Sequence, residues 1–161
     1  IHSTRCTACI PRKSTLPARI VELSGLVTDF LAGETYSQTI TVERRNVPVV
    51  QTESSAGIVV TVFPGEYRVV DETREVGLLR EYTVKVAIQQ IIAEEDERTP
   101  QDALLLLVEE IEDGLVGADM GNYLYRTLNG ISGTRETMFG DQTVNVGLFM
   151  AILELTYIRE I

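Results

Sequence analysis

The stretch NVGLFMAILELTYIREI, residues 145–161, decides how this sequence folds. From Val144 to Tyr157 apolar residues occupy both alternating faces. Val144, Val146, Leu148, Met150 and Ile152 fall on one face, and Phe149, Ala151, Leu153, Leu155 and Tyr157 on the other. Only Asn145, Gly147, Glu154 and Thr156 interrupt the pattern. At about 3.3 Å per residue a strand of this length runs on the order of 45 Å, whereas ordinary strands have about 5–6 residues. Such a strand asks for cover on both faces, from a helix layer and another sheet or from neighbouring subunits.

Moving back along the chain, TPQDALLLLVEEIEDGL (99–115) reads as an amphipathic helix. Thr99 can cap it, Pro100 suits the first helical position, and Asp102 stands where a capping-box acid belongs. Leu104, Leu107, Val108, Ile111 and Leu115 form the stripe to be buried. Glu109, Glu110, Glu112 and Asp113 are expected to face away from that stripe, and Gly114 and Gly117 bracket the end. Before this helix, LLREYTVKVAIQQII (78–92) alternates Tyr82, Val84, Val86 and Ile88 against Thr83, Lys85, Ala87 and Gln89, a strand. GIVVTVF (57–63) is a β-branched run that Pro64-Gly65 should end in a turn. EYRVV (66–70) then returns, and DETREVG (71–77) is a polar excursion. QTITVERR (38–45) is a further strand, with Ile40 and Val42 on one face.

A first helix is expected from Pro17 to about Ala32, with Ile20, Leu23, Val27, Phe30 and Leu31 at helical spacing and Gly33 as its stop. Residues 118–143 read as irregular, with one short strand near NYLYRTL. The order helix, strands, helix, loop, long strand defines an α+β fold, two helices packed on a mainly antiparallel sheet. Residues 16–161 form one domain, and 1–15, without periodicity and with scattered basic groups, form an N-terminal arm.

A chain of 161 residues is long enough to bury a core without staples. Its hydrophobic content of 44% and charged content of 24% are ordinary globular values. No apolar run approaches the roughly 18 residues of a membrane helix, and no signal-peptide stretch opens the sequence. The expectation is an intracellular, soluble protein. Net charge is −10 and unevenly placed: residues 1–21 carry Arg5, Arg12, Lys13 and Arg19 and no acid, whereas Glu94, Glu95, Asp96 and Glu97 form one acidic run. An acidic protein does not bind nucleic acid through a broad basic surface.

Catalytic patterns are missing from the sequence. His2, in the arm, is its sole histidine. There is no Gly-x-Gly-x-x-Gly, phosphate loop or His-Glu-x-x-His. The carboxylates at 94–97 read as a solvated run. Cys6-x-x-Cys9 with His2 offers three soft ligands where structural zinc takes four, so these are read as two incidental thiols. With no Trp and aromatics at 6%, a base-stacking platform is not expected; Tyr123 and Tyr125 read as core or rim packing. No enzyme, cofactor or metal is expected, and assembly remains as the function.

Four pieces in order carry a resemblance: VTVFPGEYRVVDETREVGLLREYTVKVAIQQ, TPQDALLLLVEEIEDGL and the terminal FMAILELTYIRE, after an N-terminal helix. This resembles the tail terminator (tail completion) proteins of long-tailed bacteriophages. The matching parts are Val60 to Gly65, Arg74, Tyr82 to Ile88, Leu104 to Glu112, and Thr156 to Arg159, within residues 17–161. The resemblance implies a virion protein, assembled in the host cytoplasm. It would form a hexameric ring on the head-proximal end of the tail, stop tube growth, contact the tail tube protein and a neck or head-completion protein, and pass DNA through its lumen without sequence-specific binding. Acidic charge suits such a lumen, since carboxylates repel phosphates. No membrane partner is implied.

Two sets of residues are candidates for the subunit or tail-tube interface. One is the excursion, Asp71, Glu72, Arg74, Glu75 and Leu78, longer than the 2–5 residues a hairpin needs; Arg74 would pair with a carboxylate of the partner. The other is Phe149, Leu153 and Tyr157 on the closing strand. Two further classes stay open: a tail-tube subunit or head–tail adaptor, and a non-viral α+β binding module.

Overall fold

The computed structural model describes residues 18–47, 57–73, 77–91, 98–134 and 148–160. The arm with His2, Cys6 and Cys9, the acidic run 94–97, Arg74, Glu75 and the residues 144–147 lie outside these. Helix α1 (Arg19–Gly33) is followed by strands β1 (Ile40–Arg44), β2 (Ile58–Thr73) and β3 (Gly77–Ile91), helix α2 (Arg98–Gly117), and strands β4 (Leu124–Thr134) and β5 (Leu148–Glu160). The expected α+β class holds.

Both helices form around the stripes read from sequence. In α1, Leu23, Val27 and Leu31 are fully buried, with Ile20 and Phe30 packed beside them. Ala18 offers no side-chain cap, and its carbonyl accepts from the amides of Val21 and Glu22 at 3.0 Å. The buried Ser24 hydroxyl is satisfied by the Ile20 carbonyl one turn back, at 2.7 Å. In α2 the stripe Leu104, Leu107, Val108, Ile111 and Leu115 is buried throughout. The helix begins at Arg98, however, so Thr99 is not its cap. Thr99 and Pro100 stand in the first turn, where amides lack intrahelical partners and a proline costs no hydrogen bond.

The sheet order is β1-β2-β3-β5-β4. Only the β1–β2 pair is parallel; β2–β3, β3–β5 and β5–β4 are antiparallel. Helix α1 packs across β1, β2 and β3, and α2 across β4 and β5. The chain's last strand is therefore central, between β3 and β4. Phe149, Ala151, Leu153, Leu155 and Tyr157 face the helices and are at most 1% exposed. Its other face is covered unevenly: Met150 is buried, Ile152, Thr156 and Ile158 are half-buried, and Glu154 is exposed. Two-sided cover thus holds for one end of the strand and lapses at Glu154. Its 13 residues match neighbours of similar reach, β3 with 15 and β4 with 11.

Three expectations are corrected. Pro64-Gly65 makes no turn: β2 runs through it, with an irregularity in register between Pro64 and Tyr67. The polar excursion 71–77 is mostly strand, since β2 continues to Thr73 and Gly77 already pairs with it. The short strand expected near NYLYRTL is present but longer, the 11-residue β4.

Candidate functional site

The predicted interface residues fall in three places. Phe149, Leu153 and Tyr157 belong to the chain's own core, under its two helices. Asp71 and Glu72 stand on the far end of β2, and Leu78 on the facing start of β3. The length argument for docking fails there, because the supposed excess forms the arms of a hairpin. Nor do all acids of α2 face away from structure. Glu110 Oε2 accepts from both the amide and the hydroxyl of Ser37 at 3.0 Å, tying the segment after α1 to α2. Half-buried Glu112 lies beside Gly130 of β4, where an added Cβ would come within 3.3 Å of its Oε1. Burial first, then Asp113 and Glu109, push its carboxyl above the usual range.

The exposed apolar side chains of the sheet point to another surface. Tyr67 is 63% exposed, Val69 52% and Leu124 62%. Tyr67 and Val69 lie on β2 past Val62, where β1 has ended, and Leu124 opens β4 on the opposite side. Among the described residues these two segments have no strand on their outer side. Each presents unpaired backbone groups next to apolar side chains, the combination that natural edges usually avoid.

Charge links the same two strands across the open face. Arg68 Nε on β2 donates to Glu81 Oε1 at 3.1 Å, and Arg126 Nη1 on β4 donates to Glu81 Oε2 at 3.1 Å. Beside this triad lies a shallow polar hollow of about 190 Å³, lined by Glu66, Arg68, Glu81, Thr83, Glu154 and Thr156. It lacks the enclosed apolar walls of a small-molecule site. Among the described residues, no group of three or more His, Cys, Asp or Glu is placed to hold a metal. None of their helices is long and apolar enough to cross a membrane.

The end of β5 is anchored at a second node. Arg159 Nη1 donates to Tyr123 Oη at 3.0 Å and its guanidinium lies 5.0 Å over the Tyr123 ring. The Tyr123 hydroxyl in turn reaches the Arg19 carbonyl at 3.2 Å and Glu22 Oε1 at 3.3 Å. One tyrosine thus ties the start of α1 to the end of β5. Arg159→Ala is expected to cost about 1–3 kcal/mol by losing a charged hydrogen bond and a cation–π contact. A urea unfolding midpoint equal to that of the parent would show that the node is not stabilising.

Sequence reasoning placed Tyr123 and Tyr125 in packing roles, and both do pack: Tyr123 is 3% exposed and Tyr125 lies against the core. It missed Tyr67, Val69 and Leu124, whose exposure depends on where β1 stops and which strand is outermost. Neither fact has a local signal. Compared with models of known families and with characterised proteins, the chain matches none.

Proposed function

We propose that this chain is a structural, ring-forming subunit of a long-tailed phage, of the tail terminator type. The observation that carries this reading is the pair of free sheet edges with exposed apolar side chains, Tyr67 and Val69 on one and Leu124 on the other. A subunit with two different sticky edges is suited to head-to-tail contacts, which close into rings when the rotation allows. The order of motifs that resembles tail terminators supports the particular class, with six copies around a lumen. Net charge of −10 supports passage of DNA without adhesion. In this role the ring ends tube growth and offers its two rims to the tube protein and to a neck protein.

Native mass measurement with class averages of negatively stained particles tests the reading. The expected result is a closed ring of six copies, discrete in mass across a concentration series. An open filament would replace the terminator with a tube subunit, and a monomer at all concentrations would remove the structural role.

A further inference from the structure

Four tyrosines stand abreast on the helix side of the sheet. The register pairs Tyr67 of β2 with Tyr82 of β3, Tyr82 with Tyr157 of β5, and Tyr157 with Tyr125 of β4. Ring centroids are 6.4 Å apart for Tyr67–Tyr82 and 6.3 Å for Tyr125–Tyr157, within the range of favourable aromatic pairs. The two inner members are buried, whereas the row stops at the edges with Tyr67 largely exposed and Tyr125 half-buried.

The two edge strands also break register at the same level. On β2, Gly65 and Glu66 stand against Thr83 alone, and on β4, Arg126 is the extra residue between Tyr125 and Thr127. Between them β3 and β5 pair without irregularity. An extra residue raises the local twist of its strand, and both register shifts fall at the height of the tyrosine row. Their directions are opposite, because three antiparallel pairings separate β2 from β4. A second copy set beside the first with the same face inward would therefore bring its β4 antiparallel to β2, an ordinary ladder geometry.

We propose that the free edge of β2 from Pro64 onward receives the first residues of β4 of a second copy, Leu124 to Leu128, in the register that sets Tyr67 opposite Tyr125 of its neighbour. This rests on the ring reading and names the surfaces that make the ring. The register is favoured by what it aligns. The tyrosine row continues from one subunit into the next, and aromatic cross-strand pairs stabilise a sheet. The bulges fall against each other, so Glu66, exposed, meets Arg126 of the neighbour, and opposite charges face across the junction. Arg126 already holds Glu81 and would bridge the two carboxylates. On the open face Arg68 comes opposite Leu124, since Arg68, Glu81, Ile158 and Leu124 occupy one level.

Cysteine cross-linking tests the register. In a background with Cys6→Ser and Cys9→Ser, the double variant Arg68→Cys, Leu124→Cys is oxidised and run without reductant. A ladder of covalent multimers rising to the size of the ring is expected, with none from either single variant. A covalent dimer from Arg68→Cys alone or Leu124→Cys alone would mean twofold pairing of like edges and overturn the proposal. No cross-link in a preparation whose mass shows rings overturns it too, while leaving the ring reading intact; a preparation that is monomeric overturns both. As a second arm, Tyr67→Lys should raise the concentration needed for assembly by at least about tenfold. Because Tyr67 is largely exposed in the single chain, the dissociated subunit should still unfold cooperatively, its midpoint lowered only by loss of the Tyr67–Tyr82 ring pair. Unchanged assembly of Tyr67→Lys would exclude this edge as the contact.

Discussion

A chain ending at residue 147 is expected to accumulate as insoluble protein with no cooperative unfolding transition. Strand β5 pairs along its whole length with β3, from Ile91↔Leu148 to Leu79↔Glu160, and along ten positions with β4. Its removal opens the middle of the sheet and takes Phe149, Leu153, Leu155 and Tyr157 out of the core. Truncating one large buried side chain costs about 2–5 kcal/mol, and a whole domain is stable by about 5–15 kcal/mol. Losing four such side chains together with two ladders exceeds any such margin. The remaining strands would also present β3 and β4 as two new unpaired edges, which favours aggregation. Circular dichroism melts and sedimentation of the truncated and full chains provide the check. A soluble truncated protein with a sharp melt would show that β5 is dispensable and that the core is organised elsewhere.

That strand was legible as long and apolar, but not as central. Its two apolar faces ask for cover from a helix layer and another sheet or from neighbouring subunits, and only the second alternative makes Phe149, Leu153 and Tyr157 interface residues. In the fold one face is met by the chain's own helices, and the other is covered only in part, with Met150 buried, Ile152, Thr156 and Ile158 half-buried and Glu154 exposed. The helices and β3 were readable because their periodicities, about 3.6 and 2, are local properties of the sequence. What failed was the reading of proline and glycine as punctuation. Pro64 lies just past the last β1 contact, Arg44↔Val62, so its missing N–H costs no ladder bond. Gly65 is required by proximity: a Cβ there would stand 2.9 Å from the Thr83 carbonyl oxygen. Gly130, read as a loop residue, is a strand residue whose Cβ would meet Leu153 Cδ2 at 2.8 Å. Both glycines permit close approach within a sheet, and sequence alone does not separate that use from a turn.

The candidate edges were less legible still. EYRVV was read as a returning strand, and nothing in it says that Tyr67 ends a row begun by Tyr125 on the other side of the sheet. That alignment comes from three successive registers and two bulges, each set by tertiary packing. The row has a further consequence for the core. The hydroxyls of Tyr82 and Tyr157 are buried with no hydrogen-bond partner among the described residues. Burial, and then the neighbouring Tyr125, push the Tyr157 hydroxyl well above the ordinary phenol range.

The sharpest separation by mutation is expected inside the four-leucine run of α2. Leu104 and Leu107 are fully buried, whereas Leu105 is 37% and Leu106 51% exposed. Successive helical residues turn by about 100°, so four adjacent leucines cannot share one face. Leu104 and Leu107, three apart, lie over the sheet with Val108 and Ile111, and the pair between them looks outward. Leu104→Ala and Leu107→Ala should each cost about 2–5 kcal/mol, the loss of transfer energy together with the cavity left behind. Leu105→Ala and Leu106→Ala should stay within about 0.5 kcal/mol, since alanine also favours the helix. Guanidinium unfolding of the dissociated subunit, read at constant m-value, separates the two groups. Equal losses at Leu106 and Leu107 would mean that α2 is rotated from the described packing or covered on its outer side. Repeating the measurement on the assembled form adds a second reading. If Leu106→Ala is neutral in the dissociated subunit and destabilising only in the assembly, the outer face of α2 touches a neighbouring copy. If it is neutral in both, Leu106 lies outside the contacts between subunits, the result expected of a junction made by the β2 and β4 edges.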